Sequence, residues 1–314
     1  MSIKVLAIIN PTSGKGKVEK HIEEIKENIE KENMEIEIKL TQKKHNAKNI
    51  IEEEIQDKDL VLVCGGDGTL NETITGMMEK EIKDISVAFV PMGTTNDLAR
   101  TLNIPIKDIS ATKRLLESKA RLVDIGILNE NKYFCYVAAF GVITDVAYIT
   151  SQKAKHKYGR LAYYKNAIKE LMNIPTYKVK VKYDGKEFED EIIYGGISNS
   201  ESIAGFKWFE RGEILLDDGK FEGIFIKKPQ NIGGYFKILK AFIQKVYTEN
   251  KYIHFIQANH IEIEAQEPLR WTIDGEFAGE LKNVEIKNQQ KAIEFAICEN
   301  SRKNSRKFKI IFIR

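Results

Sequence analysis

Three apolar runs in the first hundred residues each end at a turn of small polar residues, and this repeated pattern constrains the fold most. Val5 to Ile9 stops at Asn10-Pro11, and Leu60 to Cys64 stops at Gly65-Gly66-Asp67-Gly68-Thr69. Val87 to Val90 stops at Pro91-Met92-Gly93-Thr94-Thr95-Asn96-Asp97. Between them lie stripes with helical spacing: Ile22, Ile25 and Ile29, then Ile50, Ile51 and Ile55, then the segment Leu70 to Met78. Ile36 to Leu40 alternates as a further strand. Short buried strands alternating with amphipathic helices predict a three-layer α/β unit on a parallel sheet, with its ligand sites at the carboxyl ends of the strands.

The pattern changes near Leu122. Strand-like segments then dominate: Tyr133 to Val137, Lys178 to Tyr183, Glu191 to Ile197, Gly223 to Lys227, Ile261 to Ala265 and Asn283 to Lys287. Helical stretches interrupt them at about Thr144 to Met172 and about Gly233 to Tyr247. An antiparallel β-sandwich packed against the α/β unit is the expected architecture, with a ligand cleft between the two. The expected partition is 1–124 for the α/β unit, 125–298 for the sandwich, whose end can return to the first unit, and 299–314 for a tail.

Charge excludes one class of partner. The 314 residues carry a formal charge of +3, but six basic and no acidic side chains fall between Ser301 and Arg314, so the rest of the chain is net acidic. No global field favours nucleic acid. Cys64, Cys135 and Cys298 are too scattered for a CxxC metal or redox pattern and suit a reducing cytosol. No run approaches the roughly 18 apolar residues of a membrane span, and the N-terminal run is too short for a signal peptide. A cytoplasmic protein with at most peripheral membrane contact is expected.

Four segments carry chemistry. Asn10-Pro11-Thr12-Ser13-Gly14-Lys15-Gly16-Lys17 offers backbone N–H groups and lysines to phosphates, although it lacks Walker A spacing and a plain strand-to-helix turn also explains it. In Gly65 to Thr69, three glycines around one aspartate permit unusual φ values and close backbone approach to phosphate, and Asp67 can orient Mg²⁺. Gly93 to Asn96 supplies donors at a helix start, with Asp97 as a second carboxylate. Asp274-Gly275-Glu276 places two carboxylates about one glycine, a pairing suited to a general base beside a hydroxyl nucleophile and equally common in β-turns.

In this order the segments resemble the diacylglycerol kinase catalytic-domain family, above all its soluble bacterial lipid kinases. The resemblance runs from about residue 3 to residue 298, with GGDGTLNE and PMGTTNDLAR its most specific parts. It implies an ATP- and Mg²⁺-dependent kinase acting on a lipid alcohol at a membrane surface, with diacylglycerol giving phosphatidic acid the first choice. By matching motif, Gly65, Gly66, Gly68 and Thr69 would form the nucleotide loop, with Asn10 and Thr41 lining the site. Gly93, Thr94, Thr95 and Asn96 would contact nucleotide, and Asp97 would join Asp67 and Asp124 in a polar network. Glu276 would be the base that activates the hydroxyl, aided by Asp274. A structural Mg²⁺ would sit at Asp217, Asp218 and the Phe221 region, although Ala204 to Arg211 departs from the Gly-rich run with a proline usual before that turn. A homodimer is also implied by the resemblance alone.

Rival readings remain. An NAD kinase shares the GGDGT loop, but Pro91 to Arg100 favours the lipid kinases. Sphingoid bases or other long-chain alcohols are alternative acceptors, and a non-catalytic binding protein on the same fold is a third class. The lysine-rich stretch from Lys153 to Lys169 and the segment Gly233 to Tyr247 are candidate membrane-facing helices or ordinary amphipathic ones.

Overall fold

The computed structural model describes residues 2–13, 18–105, 119–141, 174–203, 205–210 and 212–297. The turn Gly14 to Lys17, the stretch 144–172, Cys298 and the tail 299–314 lie outside the described residues.

Four strands, β1 (Lys4–Ile9), β2 (Glu35–Leu40), β3 (Leu60–Gly65) and β4 (Ser86–Pro91), pair in parallel in the spatial order β4-β3-β1-β2. Helices α1 (Val18–Glu30), α2 (Asn46–Glu54) and α3 (Asp67–Glu79) connect them. The chain steps one way from β1 to β2 and back the other way through β3 to β4. Right-handed crossovers therefore put α1 on one face of the sheet and α2 with α3 on the other, giving the three expected layers. The last two helices pack closely: a Cβ on Gly76 of α3 would lie 3.0 Å from the Ile51 Cβ of α2. A short helix α4 (Asp97–Thr101) follows β4.

Beyond it the chain is mostly antiparallel strand. In order these are β5 (Lys119–Leu128), β6 (Lys132–Phe134), β7 (Val137–Gly141), β8 (Tyr177–Tyr183), β9 (Lys186–Ser198), the short pair β10 (Ser202–Ile203) and β11 (Phe206–Lys207), then β12 (Phe221–Lys227). Helix α5 (Ile232–Gln244) precedes β13 (Ile253–Ala258), β14 (His260–Ile273) and the 22-residue β15 (Glu276–Ile297). These strands close over a second core in which Phe140 packs on Trp271 at 4.9 Å and Phe134 on Phe221 at 5.4 Å between ring centroids.

All strands except β10 and β11 belong to one hydrogen-bonded sheet. Two strands join its halves. Residues 295–296 of β15 run parallel to β4, and its earlier residues pair antiparallel with β14. Strand β5 accompanies β15 through this crossing, and the register shifts between Gln289 and Ile293. The last strand thus returns to the first sheet.

One strand expected from sequence is broken. Tyr133 to Val137 is apolar throughout, but the structure ends β6 at Phe134 and begins β7 at Val137. The N–H groups of Cys135, Tyr136 and Val137 turn instead to the carboxylate of Asp274, at 2.6, 3.0 and 3.0 Å. A charged acceptor outcompetes a ladder bond here.

Candidate active site

The loops after β3 and β4 touch backbone to backbone. A Cβ on Gly93 would lie 2.7 Å from the Gly66 Cα, and one on Gly65 would lie 2.7 Å from the Thr69 side chain. Neither of these glycines, nor Gly66 or Gly68, has positive φ. At Gly65 and Gly93 glycine is required for space, while a Cβ on Gly68 would meet only an ordinary contact, and none of the four adopts the unusual φ expected of these loops. The Met92 N–H donates to the Gly65 carbonyl at 2.7 Å, locking one loop to the other.

Asn96 and Asp67 knit this junction. Asn96 is fully buried in the left-handed region (φ 50°), accepting from the Gly93 N–H and donating to the Gly93 carbonyl, both at 3.0 Å. Its side-chain amide is thereby engaged within the loop. Asp67 opens α3, and its Oδ2 accepts from Thr95 Oγ1 at 2.9 Å and from the Asn96 N–H at 2.8 Å. Its Oδ1 is buried and has no hydrogen-bond partner among the described residues. Burial raises the Asp67 pKa, with Asp97 adding to the rise and the bonds from Thr95 and Asn96 opposing it. Asp97 Oδ1 accepts from Ser202 Oγ and the Gly205 N–H at 2.6 and 2.9 Å, while its Oδ2 is likewise buried and unpartnered. Thr94 is exposed on the same loop.

At the switch point between β1 and β3 the chain directions diverge and a cleft opens. Asn10 Nδ2 donates to Thr69 Oγ1 at 3.1 Å, and Asn10 Oδ1 accepts from the Thr12 N–H at 3.0 Å. The cleft holds about 860 Å³. Asn10, Thr41, Gly68 and Thr69 line one side and Glu276 the other, with Lys43, Lys44 and Lys132 also lining it.

The turn between β14 and β15 carries two acids in opposite conditions, of which Glu276 lines the cleft. Asp274 is buried in a left-handed conformation (φ 47°). Besides the three backbone donors on one side, Asn71 Nδ2 of α3 reaches its Oδ2 at 2.8 Å and also donates to the Tyr133 carbonyl. Burial pushes the Asp274 carboxyl up to about 6, against the pull of these donors. Both its oxygens are engaged, so it anchors the turn to α3 and to the β6–β7 break. Glu276, two residues on, is half exposed and bonds Lys44 Nζ at 2.6 Å. A Cβ on Gly68 would lie 3.8 Å from Glu276 Oε1, so this carboxylate stands over the first turn of α3.

Asp124 lies elsewhere. Its carboxylate accepts from the Lys291 N–H at 2.7 Å, the Gly219 N–H at 2.7 Å and Asn288 Nδ2 at 3.1 Å. These donors surround the β15 irregularity, whose N–H groups leave the ladder and require a buried acceptor. The Asp124 carboxylate makes no direct bond to Asp67 or Asp97 among the described residues, while its carbonyl accepts from Asn199 Nδ2 at 3.0 Å, in the same segment as Ser202, which donates to Asp97. The neighbouring turn is closed by its own bonds: Asp218 Oδ1 accepts from the Lys220 N–H, and the Asp217 carbonyl accepts from Gln290 Nε2. Phe221 is fully buried at the start of β12. Among the described residues, no group of three His, Cys, Asp or Glu side chains forms a metal-binding cluster.

Comparison with known proteins decides the lineage. The model of the diacylglycerol kinase catalytic domain matches residues 4–128, and that of the YegS C-terminal NAD kinase beta sandwich-like domain matches 137–294. The diacylglycerol kinase of Bacillus subtilis (strain 168) is 30% identical over 276 residues, covering 87% of this chain and 90% of its own. That of Staphylococcus carnosus (strain TM300) is 33% identical over 275 residues, covering 87% and 89%. The chain belongs to the diacylglycerol kinase catalytic-domain family. A solved structure of a candidate diacylglycerol kinase from Bacillus anthracis str. Sterne superposes with a TM-score of 0.78 at 28% identity, covering 94% of this chain and 95% of that one.

Within this member of the diacylglycerol kinase family, the last residues of GGDGTLNE bear on the framework of the site. Asn71 fastens Asp274, and Glu72 accepts from the N–H groups of His45 and Ala47 at the start of α2. Sequence reasoning quoted both without giving either a role. It also missed Lys44, since nothing local distinguishes this lysine from its neighbours and its partner lies 232 residues away.

Proposed function

We propose that this chain transfers the γ-phosphate of ATP to the hydroxyl of a lipid alcohol, diacylglycerol giving phosphatidic acid, with Glu276 as the general base. One observation carries the assignment: a half-exposed carboxylate stands over the first turn of α3, across the cleft from the Asn10–Thr69 wall. Glu276 takes the proton of the lipid hydroxyl as that oxygen attacks the γ-phosphorus and the bond to the bridging oxygen breaks, releasing ADP. Asp274 holds the Glu276 turn and has no oxygen left for chemistry.

On the opposite wall, the N-terminus of α3 and Lys43 and Lys44 supply positive charge to the polyphosphate. Mg²⁺, when bound with the nucleotide, would supply charge neutralisation at the phosphates. Asp67 and Asp97 fit as its holders, because each keeps a buried oxygen without a partner. The Asp217–Asp218 turn satisfies much of its own hydrogen bonding and gives less support to a second cation. We divide the chain at Asp124 into a nucleotide-binding part and a lipid-binding part, and place its action at the cytoplasmic membrane face, where ATP is available.

The test is incubation of the purified chain with labelled ATP, Mg²⁺ and a total lipid extract, followed by chromatography of the products. Label co-migrating with phosphatidic acid, and absent with Glu276→Gln, is the expected outcome. Label on a long-chain base would shift the acceptor, and label only on a water-soluble dinucleotide would overturn the lipid assignment.

A further inference from the structure

Helix α5 wears its apolar side chains on the outside. Ile232, Phe236, Leu239, Ile243 and, just past its end, Val246 recur at steps of four and three, and are between 42% and 73% exposed. They are five of the nine large hydrophobics exposed among the described residues, so the patch is continuous rather than scattered. The helix has an inner face as well: Gly234, Ile238 and Ala241 are buried, and Phe242 packs on Trp208 at 4.8 Å between ring centroids. It is tied down by Lys245 Nζ on the Phe209 carbonyl at 3.3 Å and by the Tyr247 hydroxyl on the Trp208 carbonyl. Fold stability therefore accounts for one side of α5 and leaves the other unexplained.

Charge says what covers it. From Gly223 to Thr248 there are five lysines and no acidic residue. Lys227 and Lys245 are paired with Asp190 and Glu210. Lys237 and Lys240 are exposed and form no ion pair with any described residue. Each follows an apolar stripe residue by about 100° around the helix, so both flank the stripe. An apolar stripe bordered by unpaired lysines fits the boundary between acyl chains and anionic headgroups. A second copy packed antiparallel fits poorly, because both lysines lie on one side of the stripe and would be set beside their own equivalents.

We infer that α5 is a membrane-docking element, inserting Phe236, Leu239 and Ile243 into an anionic lipid surface while Lys237 and Lys240 contact its headgroups. The partner is chosen on the lipid-kinase reading above, since a lipid substrate must be met at such a surface. The docking helix rests on the segment that also holds Asp97, through Ser202 and Gly205.

The experiment is flotation of the full chain with vesicles of phosphatidylcholine alone or mixed with phosphatidylglycerol. Leu239→Gln/Ile243→Gln is expected to lower partitioning by roughly tenfold or more on both compositions. Lys237→Glu/Lys240→Glu is expected to lower it only on the anionic vesicles, an effect that high salt reproduces in the parent. Both variants should phosphorylate a short-chain, water-dispersed diacylglycerol at the parent rate and melt at the parent temperature. Parent-like partitioning on the anionic vesicles by either pair overturns the inference. So does a loss of dimers on light scattering with partitioning unchanged, which makes the face a self-association surface. If no protein turns over the short-chain lipid, the kinase reading falls, while flotation still decides docking.

Discussion

The two halves of the molecule hold their acids in opposite ways. On the parallel half, Asp67 is buried with one oxygen fastened by Thr95 and Asn96 and the other left without a partner. On the antiparallel half, the work is split between two residues: Asp274 has both oxygens bonded, and Glu276 stands half exposed with one lysine contact. Three carboxylates that look alike in sequence thus differ in what their oxygens have left to offer. Reach into chemistry follows from unspent acceptor capacity more than from the presence of an acid.

The sharpest way to break this contrast is Glu276→Gln, which should lower kcat by about 10³-fold through loss of the base. Its melting temperature should match the parent, because Glu276 makes only an exposed ion pair. Retained turnover would remove the role assigned to that wall. Asp67→Asn should cost about 10²-fold in kcat/KM for the nucleotide, with partial relief at high Mg²⁺, by weakening charge stabilisation at the phosphates. A variant with unchanged nucleotide dependence would make Asp67 a loop fastener only.

Asp274→Ala should behave in the reverse sense, as a fold defect. It strands three backbone donors and Asn71, so urea unfolding should report a loss of at least about 3 kcal/mol. Gly93→Ala is expected to cost about 1–3 kcal/mol in the same assay, because its Cβ must displace the Gly66 backbone. The smallest effect is a pH dependence. The folded Asp274 carboxyl titrates at about 6, above its ordinary 3.8, so the folded state binds its proton more tightly than the unfolded chain. Its contribution to stability is fully present below about pH 4 and is lost as pH rises through about 6. The difference in urea midpoint between parent and Asp274→Asn should therefore change between pH 4 and 7, and a flat difference would show that the donors hold Asp274 ionised throughout.

How much of this was legible depends on how local the cause is. The α/β half could be read because each strand ends at its own glycine turn and each helix carries its own apolar stripe. The polar loops marked the cleft for the same reason. The division of labour between Asp274 and Glu276 could not be read, because it is set by donors at Cys135 to Val137 and at Asn71, well over a hundred residues away. The seat of Asp124 could not be read for a similar reason: it lies at a strand crossing whose irregularity at Gln289 to Ile293 has no signature in sequence. The glycine pattern of the first loop could be read but its cause could not, since the crowding at Gly65 comes from Thr69 and that at Gly66 from Gly93 across the junction.

The return of β15 to the first sheet also constrains the order in which the molecule can be made. Strand β4 obtains its outer partner from residues 295–296, almost three hundred positions into synthesis. A nascent chain that has completed only the α/β half carries an open edge next to Pro91, Gly93 and Asp97, the loop on which the cleft depends. Completion of the nucleotide wall must await the final strand, so this two-part protein cannot mature one part at a time on the ribosome. A stop codon just ahead of residue 295 would therefore damage the first-made half as well as the last.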